Sequence, residues 1–437
     1  MSEQNMNSWV PSANSHSDFP LANLPYGVFS VDGGQLRTGV AIGDMIYDLQ
    51  EALNAGLFTG QARTAAESAA GGSLNSFFAL SKETRQALRE RLTNLLSLKS
   101  AESDAQQMLG DRLLIPSSRV QMHVPARIKD YTDFYVGIHH AENVGKLFRP
   151  DNPLLPNYKY VPIGYHGRAS TISPSGQPFV RPAGQIKLPD NDAPIHCATR
   201  RLDYELEMGL WVGPGNAFGE PIPISEARNH IAGFCLLNDW SARDIQAWEY
   251  QPLGPFLSKS FATTISPWVV TTEALEPFRC AQPGRPKSDP SPLPYLYDEK
   301  DQQSGAFDIT LEVLIVTSKM RTAGDKPFTL CRSNATNMYW TFAQMVTHHS
   351  VNGCQLNPGD LFGTGTLSGP DKGSLGSLLE MTEGGKRPVS LPNGESRTFL
   401  EDGDEIIFRA RCAQEGLPAI GFGEARALVL PAKELTR

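Results

Sequence analysis

Short runs in which apolar and polar residues alternate dominate the start of the chain. Between Asp18 and Leu49, Gly27-Val28-Phe29-Ser30 and Gly39-Val40-Ala41-Ile42 are β-like runs separated by Gly and Asp turns, the pattern of a small β-barrel rather than a helix bundle. From about Ala52 to Leu109 the period changes to helical, with Ala, Leu, Glu and Arg recurring around Thr84 to Leu98. Val120 to Pro125 reads as a crossover into a second domain. Beyond it Gly and Pro recur densely and the apolar runs are short: Glu205 to Val212, Ile231 to Leu237, Trp268 to Thr271, Phe307 to Val316, Glu405 to Ala410 and Ala427 to Val429. A Pro-rich loop from Ala281 to Pro294 lies between strands and is expected to fold over the surface. The pattern predicts a mainly β fold with some α. Residues 1–17 are expected to be a disordered lead-in, 18–119 a small barrel domain with a helical segment, and 120–437 a large β-rich domain.

Composition narrows the class. A chain of 437 residues is long for one core and argues for two domains. With 39 basic and 47 acidic side chains the formal net charge is -8, which argues against a nucleic-acid partner. Local Arg and Lys clusters still leave room for an anionic small molecule. Six cysteines without a C-x-x-C pair read as reduced, mostly buried thiols. Met1 to Ser17 carry no apolar signal core, and stretches such as Ile231 to Leu237 fall far short of the roughly 20 residues a membrane span needs. A cytoplasmic protein without membrane contact is the expectation.

Three stretches carry candidate chemistry. In Leu202-Asp203-Tyr204-Glu205-Leu206-Glu207-Met208, strand alternation puts Asp203, Glu205 and Glu207 on one face. Carboxylates crowded on one face repel unless a cation lies between them, and a hard divalent ion resolves that repulsion. A solvated edge face with ordinary acids is the competing reading. The second stretch is a buried strand ending in Asn238-Asp239 and turning into a helix. Asp239 is a ligand candidate or an N-cap. Arg243, Gln246 and Tyr250 follow at helical spacing, a polar face suited to a carboxylate or carbonyl ligand, with a solvent-exposed helix face as the bland alternative. Lys259 sits in apolar surroundings where a lone lysine wants a partner. The third stretch runs from Asp130 to Tyr135 through His139-His140 to Arg149. Neighbouring histidines point apart, so at most one of the pair faces a given site. His348-His349 has the same weakness, and no H-E-x-x-H, P-loop or G-x-S-x-G motif occurs.

Taken together these stretches resemble the fumarylacetoacetate hydrolase family. The resemblance runs through Asp18-Phe19-Pro20, Asn23 to Phe29, Asp130 to Tyr135, Gly164-Tyr165-His166-Gly167-Arg168, Asn238 to Gln246, Pro255 to Pro267, Thr347 to Cys354 and Phe399 to Glu405. It implies an SH3-like N-terminal barrel, a mostly β catalytic domain of that family's type, and a homodimer. The implied reaction is hydrolysis of a carbon–carbon bond of 4-fumarylacetoacetate to fumarate and acetoacetate, the last step of tyrosine and phenylalanine breakdown. A related acylpyruvate hydrolase or β-keto acid decarboxylase is the alternative. The same resemblance implies Asp133, Glu205, Glu207 and Asp239 as ligands of Ca2+ or Mg2+, with a second, smaller cation near Lys259 and Thr263. His140 is implied as general base oriented by Glu380, and Arg243 and Lys259 as cations facing the leaving enolate. Tyr135, Arg149, Tyr165, Gln246, Tyr250 and Thr366 are implied as contacts to a small anionic diketone. The sequence departs from relatives at Val136-Gly137-Ile138-His139, where an Arg is common. Asp203 is left as a bystander on the ligand face.

Overall fold

The alternating runs near the start form the strands Tyr26–Val31, Arg37–Ile42 and Met45–Asp48. Leu114–Pro116 and Val120–His123 complete an antiparallel five-stranded sheet around them. The computed structural model describes residues 7–434. Residues 1–6 of the expected lead-in lie outside the described residues, but the rest of it is ordered. Val10 and Ala13 are buried in the core of the N-terminal region, and the serine at position 8 donates to the Leu96 carbonyl. Trp9 packs against the same core, and its indole donates to the Leu95 carbonyl at 2.9 Å. Val120–His123, just past the expected boundary at residue 119, pairs antiparallel with Tyr26–Val31 in this five-stranded sheet.

The helical period is realised in Leu49–Asn54, Gly60–Ala69 and Lys82–Leu96, with shorter turns around them. Lys82–Leu96 starts where Ser81 accepts a hydrogen bond from the Thr84 amide, an N-cap. It buries Leu88, Leu92, Leu95 and Leu96, the stripe that its three-and-four spacing predicts. Each such fully buried leucine stabilises the fold by roughly 1.5–3 kcal/mol.

Two sheets dominate the larger region, with short two-stranded ladders beside them. One runs in the order Gly164–His166, Tyr131–Phe134, Leu361–Gly363, Leu206–Val212, Ile231–Asp239, Thr263–Ile265 and Ile172–Pro174, with Val270–Thr271 also on Ile231–Asp239. The other runs Phe328–Asn334, Thr310–Val316, Glu405–Cys412, Ile420–Leu430 and Phe179–Val180. Strand Leu206–Val212 is buried along its whole length, so both of its faces are covered. Leu206, Met208 and Leu210 join the core shared with the second sheet, whereas Trp211 packs with Leu237 and the helices of the N-terminal region. Glu207 therefore points to the same side of the sheet as Trp211.

The Ala281 to Pro294 loop lies between strands as expected, and it is anchored. The Arg285 guanidinium stacks on the rings of Tyr339 and Trp340, 4.2 and 4.3 Å from their centroids. All six cysteines are free thiols, three of them buried. Among the described residues no helix is long and apolar enough to cross a membrane.

Candidate active site

Four carboxylates meet at one end of the eight-stranded sheet of the larger region. Asp133 lies on Tyr131–Phe134, Glu207 on Leu206–Val212, and Asp239 at the end of Ile231–Asp239. Glu205 sits just before Leu206, where its amide donates to the Asn238 side chain at 3.2 Å. One oxygen from each of the four acids lies within 4.8 Å of the others, and all four residues are buried. The approach depends on Gly363, which is paired with Asp133 across the parallel strands. A Cβ at that position would stand 2.8 Å from both Asp133 Oδ1 and Glu207 Oε2. Gly363→Ala should therefore spread the two carboxylates and weaken divalent-cation binding by roughly 10–100-fold, the range for disturbing what holds a ligand in place. Titration calorimetry with Ca2+ and Mg2+ reads this directly; native affinity in the variant would refute the crowding argument.

The electrostatics of the four acids differ. Burial and the neighbouring acids push the Asp133 and Glu207 carboxyls well above the ordinary carboxylate range. Burial also raises Asp239, against the pull of Lys259. Burial pushes Glu205 up as well, but Lys259, Arg243 and His140 outweigh it and hold it at about 2. The Lys259 ammonium contacts both Glu205 and Asp239, the latter at 2.7 Å, and Arg243 Nη1 donates to Glu205 Oε1 at 2.8 Å. Asp133 Oδ1 and Glu207 Oε1 are buried and have no hydrogen-bond donor among the described residues. Two orphaned carboxylate oxygens within an all-oxygen donor set fit a hard divalent cation.

The base candidate arrives from a separate helix. Ile138–Phe148 begins after Gly137, where a Cβ would stand 2.2 Å from the Thr366 carbonyl oxygen; only glycine lets the helix start there. His140 Nδ1 then lies 2.7 Å from Glu380 Oε2, and Nε2 faces Glu205 Oε1 at 3.8 Å. A carboxylate acceptor on Nδ1 fixes the proton there and leaves the Nε2 lone pair free. Glu380 also accepts from the Asn143 amide at 2.9 Å and from the Ser368 and Ser377 hydroxyls, each at 2.8 Å. Burial pushes this carboxyl up, but His140 and these hydrogen bonds carry it below its usual value. The depressed value means that ionised Glu380 contributes stability above the ordinary carboxylate range. That contribution is lost as pH falls through the depressed value.

Comparison with known proteins decides the family. Residues 131–429 match the family described as fumarylacetoacetate (FAA) hydrolase C-terminal, and residues 22–125 match fumarylacetoacetase N-terminal. The chain is similar to the fumarylacetoacetase of Rattus norvegicus, 49% identical over 428 residues that cover 97% of this chain and 99% of the relative. It is 50% identical over 428 residues to that of Homo sapiens, with the same coverage. It is 47% identical over 419 residues to that of Arabidopsis thaliana, covering 95% of this chain and 97% of the relative.

The chain belongs to the fumarylacetoacetate hydrolase family.

Within this family member the residues named from sequence are not equally central. Asp133, Glu205, Glu207, Asp239, Arg243, Lys259, His140 and Glu380 form one buried, connected group. Tyr165 joins it through a 3.0 Å hydrogen bond from its hydroxyl to Asp239 Oδ2. Gln246 joins through Arg243 Nη1 at 3.2 Å, and the Tyr135 ring packs edge-on against His140 at 5.6 Å between centroids. The Thr366 hydroxyl is buried without a partner, and Thr263 sits opposite Asp239 in the strand register. Arg149 and Tyr250 are instead exposed, and the Arg149 guanidinium donates to the Pro153 carbonyl at 3.2 Å. Two surface clefts, of about 880 and 840 Å³, are lined by none of these residues. His349 and His348 bond Thr132 and Tyr295 at 2.8 and 2.9 Å.

Two readings of the acidic stretch are corrected. The solvated edge face is excluded because Asp203 and Glu207 are wholly buried. The single continuous strand is also wrong: Leu202–Asp203 pairs with Ser241–Ala242, and a separate strand begins at Leu206. The break turns Asp203 away from the cluster and onto Arg243. Asp239 is not an N-cap either, since the helix begins at Arg243 with Ala242 before it.

Sequence reasoning missed several participants. The Tyr131 hydroxyl is buried without a partner, and it lies 3.0 Å from the Cβ position of Gly363, beside Asp133 and Glu207. Asn143 was detectable as the residue three beyond His140 on one helix face. Ser377-Leu378-Leu379-Glu380 is a visible S-x-x-E pattern, and Ser377 does accept from the Glu380 amide. Gly363 carried no signal.

Proposed function

We propose that this chain hydrolyses 4-fumarylacetoacetate to fumarate and acetoacetate, with His140 as the base that activates water. The observation that carries this reading is the placement of His140 between Glu380 and the carboxylate cluster, with its Nε2 unbonded and 3.8 Å from Glu205. The near full-length similarity to curated fumarylacetoacetases supports the same substrate.

Asp133, Glu205, Glu207 and Asp239 would hold the cation, which we read as Ca2+ or Mg2+ because every donor is a carboxylate oxygen. When bound, a divalent cation supplies Lewis-acid polarisation of the diketone oxygens. The chain's own groups do the rest. His140 Nε2 takes a proton from water as its oxygen bonds to the carbonyl carbon beside the fumaryl double bond. The bond from that carbon to the methylene then breaks, and its electron pair remains on acetoacetate as an enolate. Arg243 and Lys259 lie beside the cluster to stabilise that negative charge. The His140 imidazolium returns its proton to the enolate carbon. Arg243 Nη2, buried without a partner, and the Thr366 hydroxyl are free donors for substrate oxygens. Tyr135, Tyr165, Gln246, Tyr250 and Arg149 complete the proposed contacts, the last two from the exposed rim. Four ligand acids, Asp203 and Glu380, set against a divalent cation, Lys259 and Arg243, leave a formal charge of about -2 with His140 neutral, and Arg149 adds a cation at the rim.

The five-stranded N-terminal sheet is read as an SH3-like barrel, supported by its antiparallel order. A second, smaller cation near Lys259 and Thr263 belongs to the same reading. A homodimer is supported by the apolar side chains of Trp248, Leu253, Phe256 and Leu257, all exposed on one short stretch. A cytoplasmic setting is supported by the unpaired thiols. Initial rates on 4-fumarylacetoacetate and on acylpyruvates test the substrate. We expect kcat/KM to favour fumarylacetoacetate by about tenfold or more, since buried polar donors discriminate strongly against a substrate that leaves them unpaired. A preference for acylpyruvates would move the assignment to the related hydrolase.

A further inference from the structure

Asp203 is a wholly buried carboxylate that the reaction outlined above does not use. An ionised carboxylate so placed is costly unless donors surround it. It has four. Its Oδ1 accepts from the Leu378 amide at 2.8 Å and from the Tyr204 amide at 2.9 Å. Its Oδ2 accepts from the Leu379 amide and from Arg243 Nε, both at 2.9 Å. Burial pushes the carboxyl up, and Arg243 and these two leucine amides oppose it.

These donors come from two different parts of the active site. Leu378 and Leu379 open the turn Leu378–Met381 that carries Glu380, the residue bonded to His140. Arg243 opens the helix that carries Gln246. With Nε held by Asp203 and Nη1 by Glu205 and Gln246, the guanidinium cannot rotate, and Nη2 is left without a partner among the described residues. Asp203 itself is fixed by the pairing of Leu202–Asp203 with Ser241–Ala242.

We propose that Asp203 is a positioning residue that sets Arg243 and Glu380 in register with each other, so that the enolate-facing cation and the base-orienting carboxylate are placed by one group. The inference rests on the functional reading above. A charged brace of this kind typically affects what it holds by 10–100-fold.

Asp203→Asn presents an amide donor to groups that are themselves donors, so it breaks the brace with little change in volume. We expect kcat on 4-fumarylacetoacetate to fall by about 10–100-fold, with KM within about threefold of native because the lost placement matters most in the transition state. We also expect the downfield proton resonance of the His140 Nδ1–H bond to Glu380 to shift or vanish, which a purely stabilising role would not cause. A kcat within about twofold of native, or an unmoved resonance, overturns the inference. Should the Asn variant not fold, Asp203→Glu keeps the charge but displaces it by one methylene. It carries the same expectation and the same refutation. If the native protein shows no turnover, the functional reading fails, while the resonance still decides whether Asp203 places Glu380.

Discussion

His140→Ala lowers kcat on 4-fumarylacetoacetate by about 10³-fold, within the range by which a positioned general base accelerates a reaction. The size of the effect follows from how completely the imidazole is set. Gly137 lets the helix start against the Thr366 carbonyl, Glu380 takes the Nδ1 proton at 2.7 Å, and Nε2 alone remains free. Alanine leaves no group of suitable basicity at that place. Folding should survive, because Glu380 keeps its hydrogen bonds from Asn143, Ser368 and Ser377 when the histidine is gone. The stability loss should be about 1–3 kcal/mol, as for removing one partner of a buried polar pair. Rates follow from the decay of the conjugated diketone's ultraviolet absorbance, and stability from thermal unfolding. Activity near that of the native enzyme would remove His140 from the role of base.

Removal of the divalent cation should be as severe. Dialysis against a chelator is expected to reduce turnover by at least about 100-fold, and added Ca2+ or Mg2+ to restore it. The protein should also become less stable, by about 2.7 kcal/mol relative to a sample with the cation at 100 times its dissociation constant. The pH dependence has a definite sign. In the metal-free site, burial and mutual repulsion keep protons on Asp133 and Glu207 above the ordinary carboxylate range. A cation must displace those protons, so its affinity falls as pH falls, and binding releases protons to the buffer. Calorimetry in buffers of different ionisation enthalpy measures that release. Full activity after exhaustive chelation, with no proton release on adding metal, would rule out the cation's role.

Much of this site was legible before the fold was seen, for reasons that lie in local periodicity. Glu207 and the apolar residues around it alternate as a buried strand must, and Asp239 closes a run of residues that could only be a core strand. Arg243 and Gln246 face each other because helical spacing places them so. What failed was what depends on chain breaks and long-range contacts. Asp203 shares the alternation of Glu205 and Glu207 on paper, but the strand ends after it and the side chain turns toward Arg243 and the distant Leu378 and Leu379 amides. Residues 8–16 show no regular apolar period, yet they dock through Trp9, Val10 and Ala13 against a helix some eighty positions away. The role of Gly363 exists only because three strands from remote parts of the chain meet at it. Pairing His140 with Glu380, 240 residues apart, came from family resemblance, since no local rule spans that distance.

Hydrolysis of 4-fumarylacetoacetate in water enriched in oxygen-18 tests the proposed chemistry most directly. With the native protein and its cation, the diketone absorbance should decay and the products should be fumarate and acetoacetate. One labelled oxygen should appear in the new fumarate carboxylate, and none in the carboxylate of acetoacetate. Both the decay and the label should disappear with His140→Ala. No decay with the metal-loaded native protein, or cleavage that leaves fumarate unlabelled, would contradict a water activated by His140 at this carboxylate cluster.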